Sequence, residues 1–214
     1  MARKEDISAS VIRRLPRYYR FLGELLDRGQ LRIYSADLAA QMSLTASQIR
    51  QDLNCFGGFG QPGSGYNIPE LHREIGHILG LDCRRRAVLI GAGNLGRAIA
   101  IHMDFAQYGM ELRGIFDSDE SKTGLTVSGM KIMPVSLLEE FVRREKPETA
   151  ILCIPKEGAE ECAALLIKCG VKAFWNFSHC DLTAKYKGII AENVHLGDSL
   201  MLLSYGLTNS DREF

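Results

Sequence analysis

The sequence predicts an α/β protein in two parts, a helical N-terminal unit and a parallel-sheet unit that runs on into an apolar helix. Three observations carry that prediction. From Ala87 to Phe177, short apolar runs alternate with amphipathic runs of helical spacing, the pattern of parallel strands joined by crossover helices. Between the first such strand and the first such helix stands Gly91-Ala92-Gly93-Asn94-Leu95-Gly96. Ahead of all this, two short helical patterns are joined by a tight turn and followed by a stretch with five glycines and a proline, GGFGQPGSGY.

The elements follow in order. Pro16 to Arg28 carry Tyr19, Leu22, Leu25 and Leu26 at helical spacing, with Gly29 as a stop. Pro16 fits the first turn of that helix, or kinks a longer one beginning near Ser10. SADLAAQM reads as a second helix with Ser35 as N-cap. TASQIRQDLNCF reads as a third, in which Thr45 and Gln48 form a capping box. The pair makes a helix-turn-helix, and the glycine-rich stretch after Phe56 a tight hairpin or wing. IPELHREIGHILG is a fourth helix, with Pro69 in its first turn and Gly80 at its end. A boundary near residue 82 follows. Beyond it AVLIG, ELRGIFD, TAILCIP and VKAFWNF read as strands. NLGRAIAIHMDFAQYG, SLLEEFVRRE (capped by Ser136 with Glu139) and Lys156 to Gly170 read as helices, and Asp198 to Leu207 as a last apolar helix.

Charge divides the same way. The whole chain is neutral, with 26 basic and 26 acidic residues. Residues 1–86 nevertheless hold 13 basic side chains, 12 of them Arg, against 9 acidic ones. The remainder holds 13 against 17. The first part suits a polyanion and the second does not. Six cysteines show no CxxC spacing, and several sit in apolar runs where a thiol packs as a small hydrophobe. Five scattered histidines, His72, His77, His102, His179 and His195, form no metal-ligand spacing. No apolar run spans a membrane or reads as a signal peptide, so a reducing cytoplasm is the expected location.

Two motifs carry chemistry. In the fingerprint Gly91 makes the tight turn, Gly93 lets backbone approach a pyrophosphate, and Gly96 lets helix pack on sheet. Ala92, Asn94 and Leu95 complete the loop, and the amides at the helix start face the phosphates. Asp117 ends the second strand, where a carboxylate accepts from an adenosine ribose and repels the 2′-phosphate of NADP. NAD+ and NADH are therefore the expected cofactors of a Rossmann-type domain. In the third helix Ser47, Gln48, Arg50 and Gln51 occupy the first two turns, where Gln pairs with adenine and Arg with guanine. Ile49 and Leu53 face the core. No catalytic pair follows the fingerprint, which favours a sensor over a dehydrogenase.

The run SQIRQDLNCFGGFGQPGSGYNI, then HILGL, a strand and GAGNLG, then FDSD, LCIPKE and WNF, resembles the Rex family of redox-sensing transcriptional repressors over nearly the whole chain. The resemblance implies a winged-helix DNA-binding domain over residues 1–82 and a Rossmann NAD(H)-binding domain over 83–194. It implies a C-terminal helix over 195–214 that swaps onto the partner of a homodimer. It also implies operator double-stranded DNA as partner, with release when NADH rises. Ile154-Pro155 and Asn176-Phe177 match the loops that close over the dinucleotide. Ser47, Gln48, Arg50 and Gln51 match the reading helix, with Gln61 and Pro62 in the wing.

This chain departs from the family pattern in three places. The usual Arg-Lys pair of the reading helix is Arg50-Gln51, and the wing's usual basic residues are Gln61 and Pro62. Arg13, Arg14 and Arg17 are then the candidates for phosphate contacts. An Asp before the swapped helix and a Tyr after the fingerprint are replaced by His195 and His102. Asp198 is the expected substitute carboxylate for a switch contact with Arg20. An NAD-dependent oxidoreductase with a helical dimerisation arm and a regulatory module docking on another protein are the competing readings. Neither predicts a specific mobility shift on promoter DNA.

Overall fold

The structure is a computed structural model and describes residues 7–57 and 65–210. The chain divides into two compact units, Met1–Asp82 and Cys83–Phe214.

In the first unit, helix α1 (Ala9–Asp27) is the longer of the two alternatives and holds Pro16 in its interior. Proline offers no N–H to the carbonyl one turn back, so α1 lacks one rung there. It is followed by β1 (Arg32–Ile33), α2 (Ser35–Met42), α3 (Ala46–Asn54), β2 (Tyr66–Asn67) and α4 (Ile68–Leu79). β1 and β2 pair antiparallel, Ile33 opposite Tyr66. The tip of the expected wing, with Gln61 and Pro62, lies outside the described residues. α4 starts on Asn67, whose side chain accepts from the Glu70 amide, and stops on Gly80 in the left-handed region.

Two capping expectations are corrected. Tyr34, not Ser35, is the N-cap of α2, and Ser35 opens the helix. The Ser35 hydroxyl accepts from Arg50 at 3.0 Å instead. At α3, Thr45 accepts from the Gln48 amide at 3.1 Å, as a capping box requires. The Gln48 side chain does not return to Thr45, however. It donates to Asp52 at 2.8 Å.

Asp52 is fully buried among Leu15, Leu22, Ile49 and Leu53 of the first core. Arg14 grips it with two bonds of 2.6 and 2.8 Å, and the Tyr18 hydroxyl donates to it at 2.9 Å. Arg14 and Tyr18 are four apart on α1, Gln48 and Asp52 four apart on α3, so each pair shares one helix face. The carboxylate thus fixes the azimuth of α3 against α1.

In the second unit a seven-stranded sheet runs β5-β6-β4-β3-β7-β8-β9. Its strands are β3 (Arg85–Ile90), β4 (Met110–Asp117), β5 (Thr126–Val127), β6 (Met130–Pro134), β7 (Thr149–Leu152), β8 (Ala173–Asn176) and β9 (Ile190–Asn193). All neighbours are parallel except β5 on β6. Without β5, the order reverses on either side of β3, the doubly wound topology of a dinucleotide fold. One irregularity interrupts β3 and β4: Ala87 lies opposite Leu112 but Val88 opposite Gly114. One extra residue, Arg113, is thereby inserted into β4.

Helices α5 (Asn94–His102), α6 (Leu138–Glu145), α7 (Lys156–Lys168) and the short α8 (Leu182–Lys185) connect the strands. Val88, Ile90 and Phe116 face α6 and α7, and Leu89 and Ile115 face α5, so both sides of the sheet are covered. The helix after the fingerprint is shorter than its apolar pattern suggested. α5 ends at His102, and Asp104 caps a separate 3-10 turn, Phe105–Tyr108. Ser136 does not cap α6. It sits in a 3-10 turn leading into that helix, and Glu139 pairs with Arg143. The β5–β6 hairpin, α8 and β9 were not foreseen.

The last helix, α9 (Leu196–Ser210), is exposed along its length. Leu200, Met201, Leu202, Leu203, Tyr205 and Leu207 are each more than 60% exposed in the single chain. Among the described residues, no helix is long and apolar enough to cross a membrane.

Asp52→Ala leaves a half-buried guanidinium and a buried phenol without their acceptor. The loss expected is about 3 kcal/mol, read by chemical denaturation of the first unit's transition. Burial alone pushes the Asp52 carboxyl up, but hydrogen bonds from Arg14, Gln48 and Tyr18 outweigh it and hold it below the usual carboxylate range. Its contribution is therefore complete above the ordinary carboxylate pKa of about 3.9 and fades as pH falls through the folded value. Acid unfolding of the variant should lack that component.

Candidate functional site

The fingerprint lies where β3 ends, at the carboxyl ends of the parallel strands and at the point where strand order reverses. Its three glycines answer to three different constraints. Gly91 has φ +96°, and a Cβ there would stand 2.4 Å from the Cys153 carbonyl oxygen. Gly96 carries α5 so close to the turn that a Cβ would lie 1.9 Å from the Gly91 oxygen. Gly93 has an ordinary φ of −73°, and nothing stands within 4 Å of its missing Cβ. The first two are required by the protein itself. The third keeps a space open in front of the α5 N-terminus. Gly93 is the N-cap of that helix and provides no side-chain acceptor, so the first-turn amides are left to whatever lies in the space. These residues fit a phosphate group.

Asp117 is nine-tenths buried beside this loop. Its Oδ2 accepts from the Ala92 amide at 2.7 Å, and its Oδ1 from the Asp119 amide at 2.8 Å. Lys122 also reaches Oδ2, at 3.1 Å, and lies 3.6 Å from Asp119. The carboxylate thus ends β4 beside the fingerprint, with a cation against it. The side chain of Ile154 packs on Gly91, and Pro155 is the N-cap of α7. Phe177 is half-buried, edge-on to Trp175 with ring centroids 4.7 Å apart.

Asn176 is fully buried, with both ends of its amide bonded inside the protein. Nδ2 donates to the Cys180 carbonyl at 2.6 Å and to Asn193 at 2.8 Å, while Oδ1 accepts from the Ser178 amide and hydroxyl. Its side chain thereby shapes the loop that carries Phe177.

The DNA-reading candidates divide similarly. Ser47, Arg50 and Gln51 are exposed on α3, and Arg50 is steadied by Ser35. Gln48 and Arg14, both partly buried, hydrogen-bond Asp52. Arg17 donates to the Met42 carbonyl at the end of α2, and Arg13 is exposed. Of the switch candidates, Arg20 is exposed on α1, His102 is the last residue of α5, and Asp198 lies in the first turn of α9. His195 has a partner that the sequence did not suggest. Its Nδ1 lies 3.0 Å from Nδ1 of His179.

Burial holds the Cys153 thiol up at about 12 and the Cys162 thiol at about 11, so both stay protonated and slow to oxidise at neutral pH.

Residues 6–54 match the family described as "Putative DNA-binding protein N-terminus", and residues 82–180 match "CoA binding domain". A helix-turn-helix unit joined to a nucleotide-type sheet is the plan of a ligand-responsive transcription factor. The redox-sensing transcriptional repressor Rex of Clostridioides difficile (strain 630) is 50% identical over 205 residues, 96% of this chain and 97% of that protein. Rex of Thermoanaerobacter pseudethanolicus (strain ATCC 33223 / 39E) is 48% identical over 211 residues, 99% and 94%. The crystal structure of RSP in complex with beta-NAD+ and operator DNA has a TM-score of 0.89 at 49% identity, covering 96% of this chain and 94% of that one. RSP in complex with beta-NADH gives 0.88 at 47%, with 96% of each covered. The chain belongs to the Rex family of redox-sensing transcriptional repressors, a family of regulators rather than enzymes.

Gly96→Ala forces α5 away from the β3 turn. The expected cost is about 3 kcal/mol, the upper end of overpacking penalties, measured as a lowered denaturation midpoint of the second unit.

Proposed function

We propose that this chain is a cytoplasmic repressor that binds operator DNA as a homodimer and leaves it when NADH rises relative to NAD+. The observation that carries the reading is that RSP, a Rex-family repressor 47–49% identical over nearly the whole chain, has been crystallised with NAD+ and operator DNA and with NADH. The geometry supports it at both ends. The α5 amides and the open space at Gly93 would take the pyrophosphate, Ala92, Asn94 and Leu95 forming the rest of its cradle. Asp117 would accept from the adenosine ribose. Ile154, Pro155 and Phe177 would close over the rest of the dinucleotide, which supplies the two redox states that the repressor distinguishes. In the first unit Arg50, Gln51 and Ser47 would reach base edges, while Arg13 and Arg17 neutralise phosphates.

α9 would find its place on a second copy of the chain. Six apolar side chains that are more than 60% exposed in one protomer are a standing cost in water. Each Leu so buried contributes about 1.5–3 kcal/mol.

Four outcomes test this reading. In mobility-shift titrations on palindromic promoter DNA, NADH should weaken specific binding and NAD+ should not. Absence of any specific shift would favour an enzyme or docking module instead. Gly93→Ala should keep the wild-type melting temperature yet lose at least about tenfold in NADH affinity by calorimetry, since its backbone suits alanine and its missing Cβ faces only the ligand space. Leu203→Asp should shift the chain from dimer to monomer in sedimentation equilibrium. NADH should bind more tightly than NADPH, by about tenfold rather than the full discrimination of a lone carboxylate, because Lys122 offsets part of the Asp117 charge. Lys122→Met should widen that ratio, and a ratio left unchanged or narrowed would refute the assignment.

A further inference from the structure

His179 and His195 lie sixteen residues apart in sequence and meet at one point, with ring centroids 5.1 Å apart and planes inclined at 24°. The meeting is built rather than incidental. His179 sits at φ +58°, a left-handed conformation that a residue with a side chain adopts only when its surroundings hold it there. Those surroundings are the loop stitched by buried Asn176 through Ser178 and Cys180. The same asparagine bonds Asn193, and its carbonyl accepts from the Val194 amide at 2.8 Å, which sets the residue just before His195. Asn176, through its side chain and its backbone carbonyl, thus places both rings. The His195 carbonyl in turn accepts from the Asp198 amide, the first turn of α9. The pair therefore joins the loop after β8 to the base of α9.

We propose that His179 and His195 form a proton-operated latch on the base of α9, closed while their two facing nitrogens share one proton and open when both rings are charged. An Nδ1···Nδ1 contact of 3.0 Å needs one donor and one acceptor. It is available when both rings are neutral and is strengthened when the pair carries one extra proton, since a charged donor makes the stronger bond. With both rings charged, two N–H groups and two positive charges face each other and the contact cannot persist. Imidazole is the side chain that gains its charge on mild acidification, so acid opens the latch. The charged groups around His179 are Lys156, Glu157 and Glu160 of α7 and Asp181 and Lys185 of α8, which line a common cleft with it. Lys185 is paired with Glu160, and Asp181 accepts from Thr183 and Ala184. Asp198 is the acid nearest in sequence to His195 on α9 itself. None of these reaches between the two rings. A metal bridge is the weaker reading, because no third His, Cys, Asp or Glu joins the pair among the described residues.

The inference rests on the proposed function only for its consequence, a pH-dependent coupling of NADH binding to DNA release. The experiment has two readouts on the full-length protein. First, ¹⁵N-histidine NMR follows the two rings from pH 8 to pH 5. In wild type they should titrate as a coupled pair, and in His195→Gln the His179 signal should revert to a single step. Second, the NADH-induced loss of operator affinity is measured at pH 7.5 and pH 5.5. In wild type it should change at least about threefold between the two, while His179→Gln and His195→Gln should each abolish that change without adding to one another. Independent titration of the rings, or a pH dependence that survives in both variants, would overturn the latch. Coupled rings in a wild type whose operator affinity ignores NADH at every pH would overturn the proposed function and leave the latch standing.

Discussion

The approach of Gly96 to the Gly91 carbonyl is the constraint on which the second unit depends. With no Cβ at Gly96, α5 begins within contact distance of the turn that ends β3. Covering of one sheet face, exclusion of water from Leu89 and Ile115, and orientation of the uncapped amides all follow from that one approach. A side chain at Gly96 would displace the helix and with it the anion-binding end, and one at Gly91 would collide with the Cys153 carbonyl beyond β7. Folding and ligand recognition therefore share two of the three glycines and part company only at the middle one.

The first unit solves a related problem with charge instead of absence. A reading helix must be held in one rotation about its axis, or its outward residues address nothing definite. Apolar packing by Ile49 and Leu53 sets the buried face only broadly, since one hydrophobic contact tolerates sliding. Asp52 adds directional bonds from Arg14, Tyr18 and Gln48, and directional bonds do not slide. Breaking a buried pair is far more costly than an exposed one, so the orientation is enforced. Arg14 and Gln48, which look like DNA contacts, are inside the mechanism that aims the contacts.

What the sequence made legible follows from what each signal measures. Strands buried on both faces, such as AVLI and TAIL, are continuous apolar runs, and the fingerprint is a local backbone requirement; both are written in consecutive residues. The edge strand β9, Ile-Ala-Glu-Asn, is half exposed and has no such run, and β5 contributes only two residues. The Asp52 network was hidden for a different reason. An acid within TASQIRQDLN reads as a surface residue until α1 is brought against it, although the paired four-residue spacings were there to notice. Lys122 lies five residues after Asp117, close enough in sequence for its ammonium to neutralise that buried carboxylate. The His179–His195 contact depends on loop geometry and left no periodic trace. Neither Ser35 nor Ser136 takes the N-cap its residue type favours, because a serine's preference for the cap is weak beside the tertiary packing that decides where a chain turns.

The extra residue in β4 has a consequence for which changes in length this domain tolerates. Loops generally absorb insertions and deletions, and strands do not. Here the ladder between β3 and β4 is offset by one residue at Arg113, so every position beyond it is counted from the bulge. Leu112 and Ile115 both face α5 although they are three apart, because Arg113 between them is left out of the pairing. Deleting Arg113 would therefore leave a regular ladder, with Phe116 still on the α6 side and Asp117 still at the strand's end. A strand is ordinarily the last place to lose a residue, but here one position carries no register to lose.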